Sequence, residues 1–593
     1  MIFGKHINRY YLKNAHLLLL GIITLVVVDY MQLRVPNLYQ MVVNGVSQGY
    51  VAVDGVKMPF DMDFLLDQIC MPMVAVVLTM VAGRFLWRIC FFSAAIRVET
   101  DIRNRMFDNA KNLSQQYYQV NKVGNLMSLF TNDLDTVQEC YGWGIMMSVD
   151  AVLMLTMTVR KMWIMDGFLT ILALIPMGCL LGAATVVGRY MKKKWDIRQG
   201  AFSNLSDFAQ ESFSGIAVIK AFVKEAKELM AFKKLNVENE IANINHTKAS
   251  VLMRVLVSLF VESVICIILG YGGYLVYTDS FNAGQLVEFI GYFTSLVWPI
   301  MSVSELIDMT SRGKASLDRV GQLLDAEVDV KDREGAMELP QIRGDITFKG
   351  LTFRYPDGEY DVLEDVSFDI KAGENVGLVG KTGSGKTTLV DLILRTYNVK
   401  DGMIYIDGYD INDLTIHAVR KACAYVPQDN FLFSDTIENN IAFGVDSFNG
   451  PDIELAASMA DVDSNIKEFQ LGYQTILGER GVTVSGGQKQ RISIARALMK
   501  EAPILILDDS VSAVDTKTER NILDNLKKTR AGKTTILIAH RISTIEKMDK
   551  ILFIDDGKLM AVGRHEELYA SCPEYQKMVD LQKLEEEGGA SNA

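Results

Sequence analysis

Gly380-Lys381-Thr382-Gly383-Ser384-Gly385-Lys386-Thr387 follows a short apolar run, Asn375 to Val379, and precedes the helical pattern Leu389 to Leu394. A glycine-rich G-x-x-x-x-G-K-[ST] loop between a buried strand and a helix N-terminus is the context of a phosphate-binding loop. Its glycines let the backbone curl so that successive N–H groups point at phosphate oxygens, and the helix dipole adds positive potential there. In this geometry Lys386 reaches the β- and γ-phosphates of ATP, Thr387 holds Mg²⁺ through its hydroxyl, and Thr388 adds a phosphate contact. The plainer alternative, a glycine-rich turn, is weighed by what accompanies the loop.

The chain has 593 residues, room for several domains, and 49% of them are hydrophobic, which is high for a soluble protein. A membrane portion in a lipid bilayer is expected. A net charge of −12 argues against nucleic acid as a partner. The cysteines, from Cys70 to Cys572, are scattered without a C-x-x-C pair, so neither a zinc site nor a disulfide framework is suggested.

Residues 1–310 carry apolar segments of spanning length: Leu17 to Val28, then roughly Ile69 to Phe92, Tyr141 to Met165, Phe168 to Val187, Val251 to Tyr277 and Leu286 to Ile307. The first resembles a secretory signal, but no small-residue cleavage site follows it, so it is read as a retained span. Basic residues Arg97, Arg103, Arg105 and Lys111 follow the second span, and Arg189 with Lys192 to Lys194 follow the fourth. The positive-inside rule then places both termini in the cytoplasm. Segments 93–140 and 188–250 are long, charged and free of proline, and are expected to continue the helices as arms below the bilayer. The turns near Leu113 to Tyr118 and Ser212 to Ala221 are the expected contact points of those arms. Asp29 and Asp150 lie inside apolar runs, where a carboxylate costs roughly 2.5–3.5 kcal/mol. A hydrogen bond between helices and a substrate or proton role both remain open for them. Met146, Met147, Met154, Met157 and Met162 suit either an adaptable pocket or ordinary helix packing.

The chain turns charged from Ser311 to about Leu339, a linker across 311–339, and Leu339-Pro340 opens an α/β domain expected over 340–584. The acidic tail 585–593 is expected to be disordered. Inside the domain, the run Ile504 to Asp509 reads as a buried strand ending in two carboxylates. Asp508 is placed to hold the Mg²⁺ shell and Asp509 to orient an attacking water. Gln428 follows another strand and can reach both metal and water; His540 ends the run Thr534 to Ala539, placed for the γ-phosphate. Tyr355, in Arg354-Tyr355-Pro356, offers a ring for adenine stacking.

Val484-Ser485-Gly486-Gly487-Gln488 opens a helix shortly before the carboxylate strand. Phosphate loop, glutamine, S-G-G-Q, carboxylate strand and terminal histidine, in this order, resemble the ATP-binding cassette (ABC) family. Six spans ahead of one cassette resemble an ABC exporter half-transporter over nearly the whole chain. The fold class implied is an all-α six-helix transmembrane domain followed by an α/β P-loop ATPase domain. The resemblance implies that two cassettes close head to tail over ATP, so that Ser485, Gly486, Gly487 and Gln488 grip the γ-phosphate held by a partner chain's phosphate loop. It also assigns Gly478 to Gly481 to contact with membrane arms, and Ser512 to Asp515 to coupling between the two nucleotide sites.

One position departs from the pattern. The family usually has glutamate after the metal-binding aspartate, and this chain has Asp509, one methylene shorter. A misplacement of about 1 Å can cost on the order of 100-fold in rate. The expectation is therefore a site that binds ATP and hydrolyses it slowly, as in one half of the heterodimeric bacterial multidrug exporters. The expected function is ATP-driven export of hydrophobic or amphipathic compounds across the cytoplasmic membrane, together with a second half-transporter. A lipid or peptide translocator shares every motif named, and an ATP-gated channel or sensor is the alternative from another class.

Overall fold

The computed structural model describes residues 3–53, 56–478, 481 and 484–590. The chain divides into two compact units. One comprises Met1–Lys111 with Val123–Asp325, the other Asn112–Lys122 with Ala326–Ala593.

Among the described residues, the first unit holds six helices long and apolar enough to cross a membrane: Ala15–Gln48, Met62–Ala110, Val123–Met165, Gly167–Ser214, Glu225–Tyr277 and Ala283–Leu324. Each contains one of the expected spans. Polar caps start the helices where connections are short. Asp166 accepts from the Leu169 N–H at 2.6 Å, and Asn282 with Gln285 forms a reciprocal capping box. The fifth helix has 53 residues, about 80 Å at 1.5 Å per residue, against a hydrocarbon core of about 30 Å. The arms expected from the charged, proline-free segments are therefore present. Within the apolar zone, Phe289, Phe293 and Leu296 of the sixth helix pack on Leu169, Val264 and Ile268. Val77, Val81 and Phe85 face outward from the second helix, as a lipid-facing surface requires. In the arms, Asp133 accepts hydrogen bonds from Ser316 Oγ at 2.8 Å and from Arg319, tying the third helix to the sixth.

Two boundaries fall later than the composition suggests. The sixth helix does not stop near residue 310 but runs to Leu324, and the units divide after Asp325. The charge shift marks where the helix leaves the apolar zone, while Leu317, Val320 and Leu323 keep a buried helical stripe going. The tail beyond Glu585, read above as disordered, continues a helix, Pro573–Ala590, as far as Ala590. Residues 112–122 belong with the second unit, as expected of the turn near Leu113 to Tyr118.

The second unit is built on two sheets. An antiparallel sheet is formed by β1 (Ile346–Phe353), β2 (Leu363–Ile370), β4 (Ile404–Ile406) and β5 (Tyr409–Asp410), in the order β2-β1-β4-β5; β3 (Asn375–Val379) belongs to the other sheet. That sheet adds β6 (Cys423–Val426), β7 (Ile504–Asp508), β8 (Thr534–Ile538), β9 (Lys550–Asp555) and β10 (Lys558–Gly563), in the order β10-β9-β3-β8-β7-β6. All its pairings are parallel except β9 with β10. β7 and β8 are buried along their whole length, which explains why they read as unbroken apolar runs rather than alternating ones.

Candidate nucleotide site

Strand register brings the motifs together. Ile538 pairs with Leu378 on one side and with Asp508 on the other, and Val426 pairs with Leu507. The segments that follow these strands therefore emerge level at the carboxyl edge of the sheet, where open α/β sheets bind ligands. They enclose a cavity of about 290 Å³ lined by Thr382, Gly383, Gly385, Lys386, Thr387, Thr388, Gln428, Asp508, Asp509 and His540, with Tyr355 at its side. Val362 and Ile538 complete the lining; neither belongs to a recognisable motif, so the sequence carried no signal for them.

The loop has little freedom in residue choice. A Cβ on Gly380 would lie 1.9 Å from the carbonyl oxygen of Ile554. Gly385 has φ +93°, a left-handed conformation at the start of helix α1 (Lys386–Ile393). Lys386 Nζ donates to the carbonyl oxygens of Gly380 at 2.9 Å and Lys381 at 2.7 Å. Burial pulls its pKa below the usual lysine value, opposed by the charges of Asp508 and Asp509. Lys381 turns away to pair with Asp555 at 2.7 Å, and Ser384 is buried under the loop.

Asp508 is 2% exposed, and its Oδ2 has no hydrogen-bond partner. Burial raises its pKa, partly offset by a hydrogen bond from the Thr387 hydroxyl. A buried, half-satisfied carboxylate beside a hydroxyl is a donor set suited to a hard divalent cation, so the residues present fit Mg²⁺. Asp509 takes φ +46°, a left-handed conformation that Asp tolerates better than most residues. Its N–H donates to the Ile538 carbonyl at 3.0 Å and its own carbonyl accepts from Ser512 Oγ at 2.9 Å, fixing the turn out of β7.

Three side chains have surroundings that their motifs did not reveal. The Tyr355 hydroxyl shares a 2.8 Å hydrogen bond with Thr388 Oγ1, and its ring stands at 79° to that of Tyr397. Gln428 lies exposed at the lip of the cavity. The segment carrying His540 is held from behind by Gln582, on the last helix, α4 (Pro573–Ala590), a residue that no motif picks out. Asp391 on α1 is another unflagged group, pushed up to about 6 by burial and by the nearby Asp508.

Ser485 to Gln488 do not line this cavity. They form the N-terminus of helix α2 (Gly486–Met499), exposed at Ser485 and Gly486, where Ser485 and Gln488 cap one another. A Cβ on Gly487 would meet the Ala513 carbonyl oxygen at 3.0 Å, and Gln490 Oε1 accepts from the Ala513 N–H at 3.0 Å. The helix start is thus tied to the loop Ser512 to Asp515, which leads into α3 (Thr516–Thr529), capped by Asp515. Glu479 and Arg480, of the segment expected to touch membrane arms, lie outside the described residues.

Comparison with known proteins agrees with this arrangement. Residues 363–512 match the ABC transporter family and residues 18–300 match the ABC transporter transmembrane region. The chain is 35% identical to the probable multidrug resistance ABC transporter ATP-binding/permease protein YheI of Bacillus subtilis (strain 168), over 99% of this chain and 98% of the relative. It is 32% identical to the multidrug resistance-like ATP-binding protein MdlA of Escherichia coli (strain K12), over 98% of this chain and 96% of that one. It is 36% identical to an ATP-dependent lipid A-core flippase of Syntrophus aciditrophicus (strain SB), over 83% of this chain and 82% of that one. Among solved structures, a bacterial Atm1-family ABC exporter with ATP bound superposes with a TM-score of 0.76 at 26% identity, over 97% of this chain and 98% of the other.

Proposed function

Because the chain belongs to the ABC transporters, built as exporters are from a six-helix membrane domain and one cassette that binds ATP and couples its hydrolysis to transport, we propose that it is one half of a heterodimeric pump. The pump expels hydrophobic or amphipathic compounds across the cytoplasmic membrane, with both termini inside. The basic residues after the second and fourth spans support this orientation.

The observation that carries the two-chain reading is the separation of the motifs. The nucleotide cavity holds all of them but the signature; Ser485 to Gln488 lie outside it, Ser485 and Gly486 exposed and Gly487 and Gln488 half-buried. A second cassette completes the cavity with its own signature and receives this one in return. In the closed pair Lys386 exchanges the loop carbonyls for phosphate oxygens, the loop N–H groups hold the phosphates, and Tyr355 receives the adenine. Thr387 and Asp508, with Gln428 alongside, would hold Mg²⁺, which when bound neutralises phosphate charge. Asp509 orients the attacking water and His540 contacts the γ-phosphate. Closure favours the outward-facing state, and hydrolysis with phosphate release lets it reopen inward. Moving such an equilibrium from 1:99 to 99:1 requires about 5.5 kcal/mol of differential binding.

Asp509 supports unequal halves. Its carboxylate reaches about 1.5 Å less than that of a glutamate, so this chain's own loop hydrolyses slowly while its signature serves the faster site on the partner. The names of the Bacillus and Escherichia relatives support multidrug cargo; the flippase relative keeps lipid translocation as a second reading. Recovery of a second half-transporter with this chain from its membranes, and uphill efflux into inverted vesicles that stops with a non-hydrolysable ATP analogue, test the proposal. Currents that persist with the analogue would point instead to a channel.

A further inference from the structure

Another cavity of the second unit, of about 240 Å³, lies between α3 and the segment Ser543 to Asp549, against β7 and β8. None of the described residues that line it lines the nucleotide cavity. Part of its wall is apolar: Leu526 and Leu537 are buried, and Leu523 and Met548 are half-buried against the same core. Clefts for drug-sized ligands run to about 300–1,000 Å³. At this smaller size the fitting occupant is a ring or short chain with one head group.

The sign of that head group follows from which charges in the lining are already engaged. Glu519 is 5% exposed, accepts from Thr544 Oγ1 and pairs with Arg541 at 3.6 Å. Asp549 Oδ2 accepts from both the N–H and the side-chain amide of Asn375, each at 3.0 Å. Asp524 and Glu546 then remain against Arg520, Lys527 and Lys547, two acids against three cations, all five exposed. The cations come from both walls, Arg520 and Lys527 from α3 and Lys547 from the segment opposite. An anion at the mouth can therefore be met from two sides.

We propose that this cavity binds a small amphipathic carboxylate, its apolar body against Leu523, Leu526, Leu537 and Met548 and its head group between Lys527 and Lys547. Charge-assisted hydrogen bonds hold the head, and removal of apolar surface from water holds the body. One wall follows the loop Ser512 to Asp515 and the other follows His540, so the occupant bridges two segments of the cassette without entering the nucleotide cavity. The proposal goes beyond the export reading and does not depend on it.

Equilibrium dialysis of the purified full chain in lipid nanodiscs, with empty nanodiscs as the reference for partition into lipid, tests it. Phenylbutyrate, phenylbutyramide and phenylbutylamine share one apolar body and serve as anionic, neutral and cationic probes near neutral pH. Phenylbutyrate is expected to bind saturably and at least several-fold more tightly than the amide, with the amine weakest. Its affinity should fall as salt is added. Acetate, a head without a body, and saturating ATP should each leave it bound. Lys527→Glu and Lys547→Glu, both at exposed positions, are each expected to weaken phenylbutyrate about tenfold and to leave the amide unchanged. Absence of saturable binding, equal affinity for carboxylate and amide, indifference to both charge reversals, or displacement by acetate or ATP would overturn the proposal.

Discussion

The side-chain amide of Gln582 donates to the carbonyl oxygen of His540 at 2.6 Å. The same side chain accepts from the Ile542 N–H at 2.9 Å, so the last helix grips the main chain on both sides of Arg541. Arg541 and Thr544 in turn contact the buried Glu519 on α3, the helix that follows the loop Ser512 to Asp515. The histidine segment is thus fixed between the last helix and the helix that leads away from the loop tied to the signature.

Removal of this grip should be felt at the γ-phosphate. Gln582→Ala deletes two hydrogen bonds worth about 1 kcal/mol each. ATP affinity of the full chain is expected to fall several-fold while ADP affinity stays near the parent's, because ADP lacks the phosphate proposed to meet His540. Calorimetric titration with the two nucleotides measures the ratio; an equal loss for both would reduce Gln582 to a structural role.

The Tyr397 hydroxyl donates to Gln119 Oε1 at 2.9 Å, within the unit that joins helix Gln115–Val120 to the cassette. Burial pushes this phenol up to about 12, which keeps it protonated as the donor. Tyr397→Phe preserves the ring contacts and removes one hydrogen bond of about 1 kcal/mol. Cargo moved per ATP hydrolysed is expected to fall, with the cassette's nucleotide affinity unchanged; vesicle transport and ATPase rates measured together give the quotient.

Asp391 supplies a pH signature. Burial, then the charge of Asp508, raises it from 3.8 to about 6 in the folded chain. The native state therefore keeps a proton that the unfolded chain has lost, and this contribution is full below the unfolded value and disappears as pH rises through the folded one. In nucleotide-free protein, Asp391→Asn is expected to gain stability relative to the parent as pH goes from about 4 to about 6. Thermal melts across that range read the difference.

Gly380→Ala places a methyl against the backbone oxygen of Ile554, 1.9 Å away. Neither strand can move without disturbing the central sheet, so a loss of about 3 kcal/mol or more is expected, together with ATP binding. A variant that kept both would mean that the loop sits farther from β9.

Much of this was legible because the relevant signals are local. The phosphate loop, the buried runs that became β7 and β8, and the six apolar spans are each set by contiguous residues. The linker boundary was misplaced because composition registers the exit from the apolar zone, whereas the buried stripe of Leu317, Val320 and Leu323 decides where the helix ends. Gln582 and Val362 were invisible for a different reason. One is far from the site in sequence, the other has an ordinary apolar side chain, and only the fold brings them there. Asp29 was noticed for its cost, but not its company, since Trp87, Trp143 and Trp298, which line one cavity with it, come from three other helices.

The most direct measurement is ATP turnover by the purified chain alone, compared with its Asp509→Asn and Asp509→Glu variants. If nucleotide held on this chain's loop awaits another subunit's signature, and Asp509 is too short for fast chemistry, turnover is expected to be slow and little changed in the Asn variant. The Glu variant, paired with the partner half, should then run about 10- to 100-fold faster at this site. Vigorous turnover by the chain on its own, abolished by Asp509→Asn, would contradict the unequal two-chain pump.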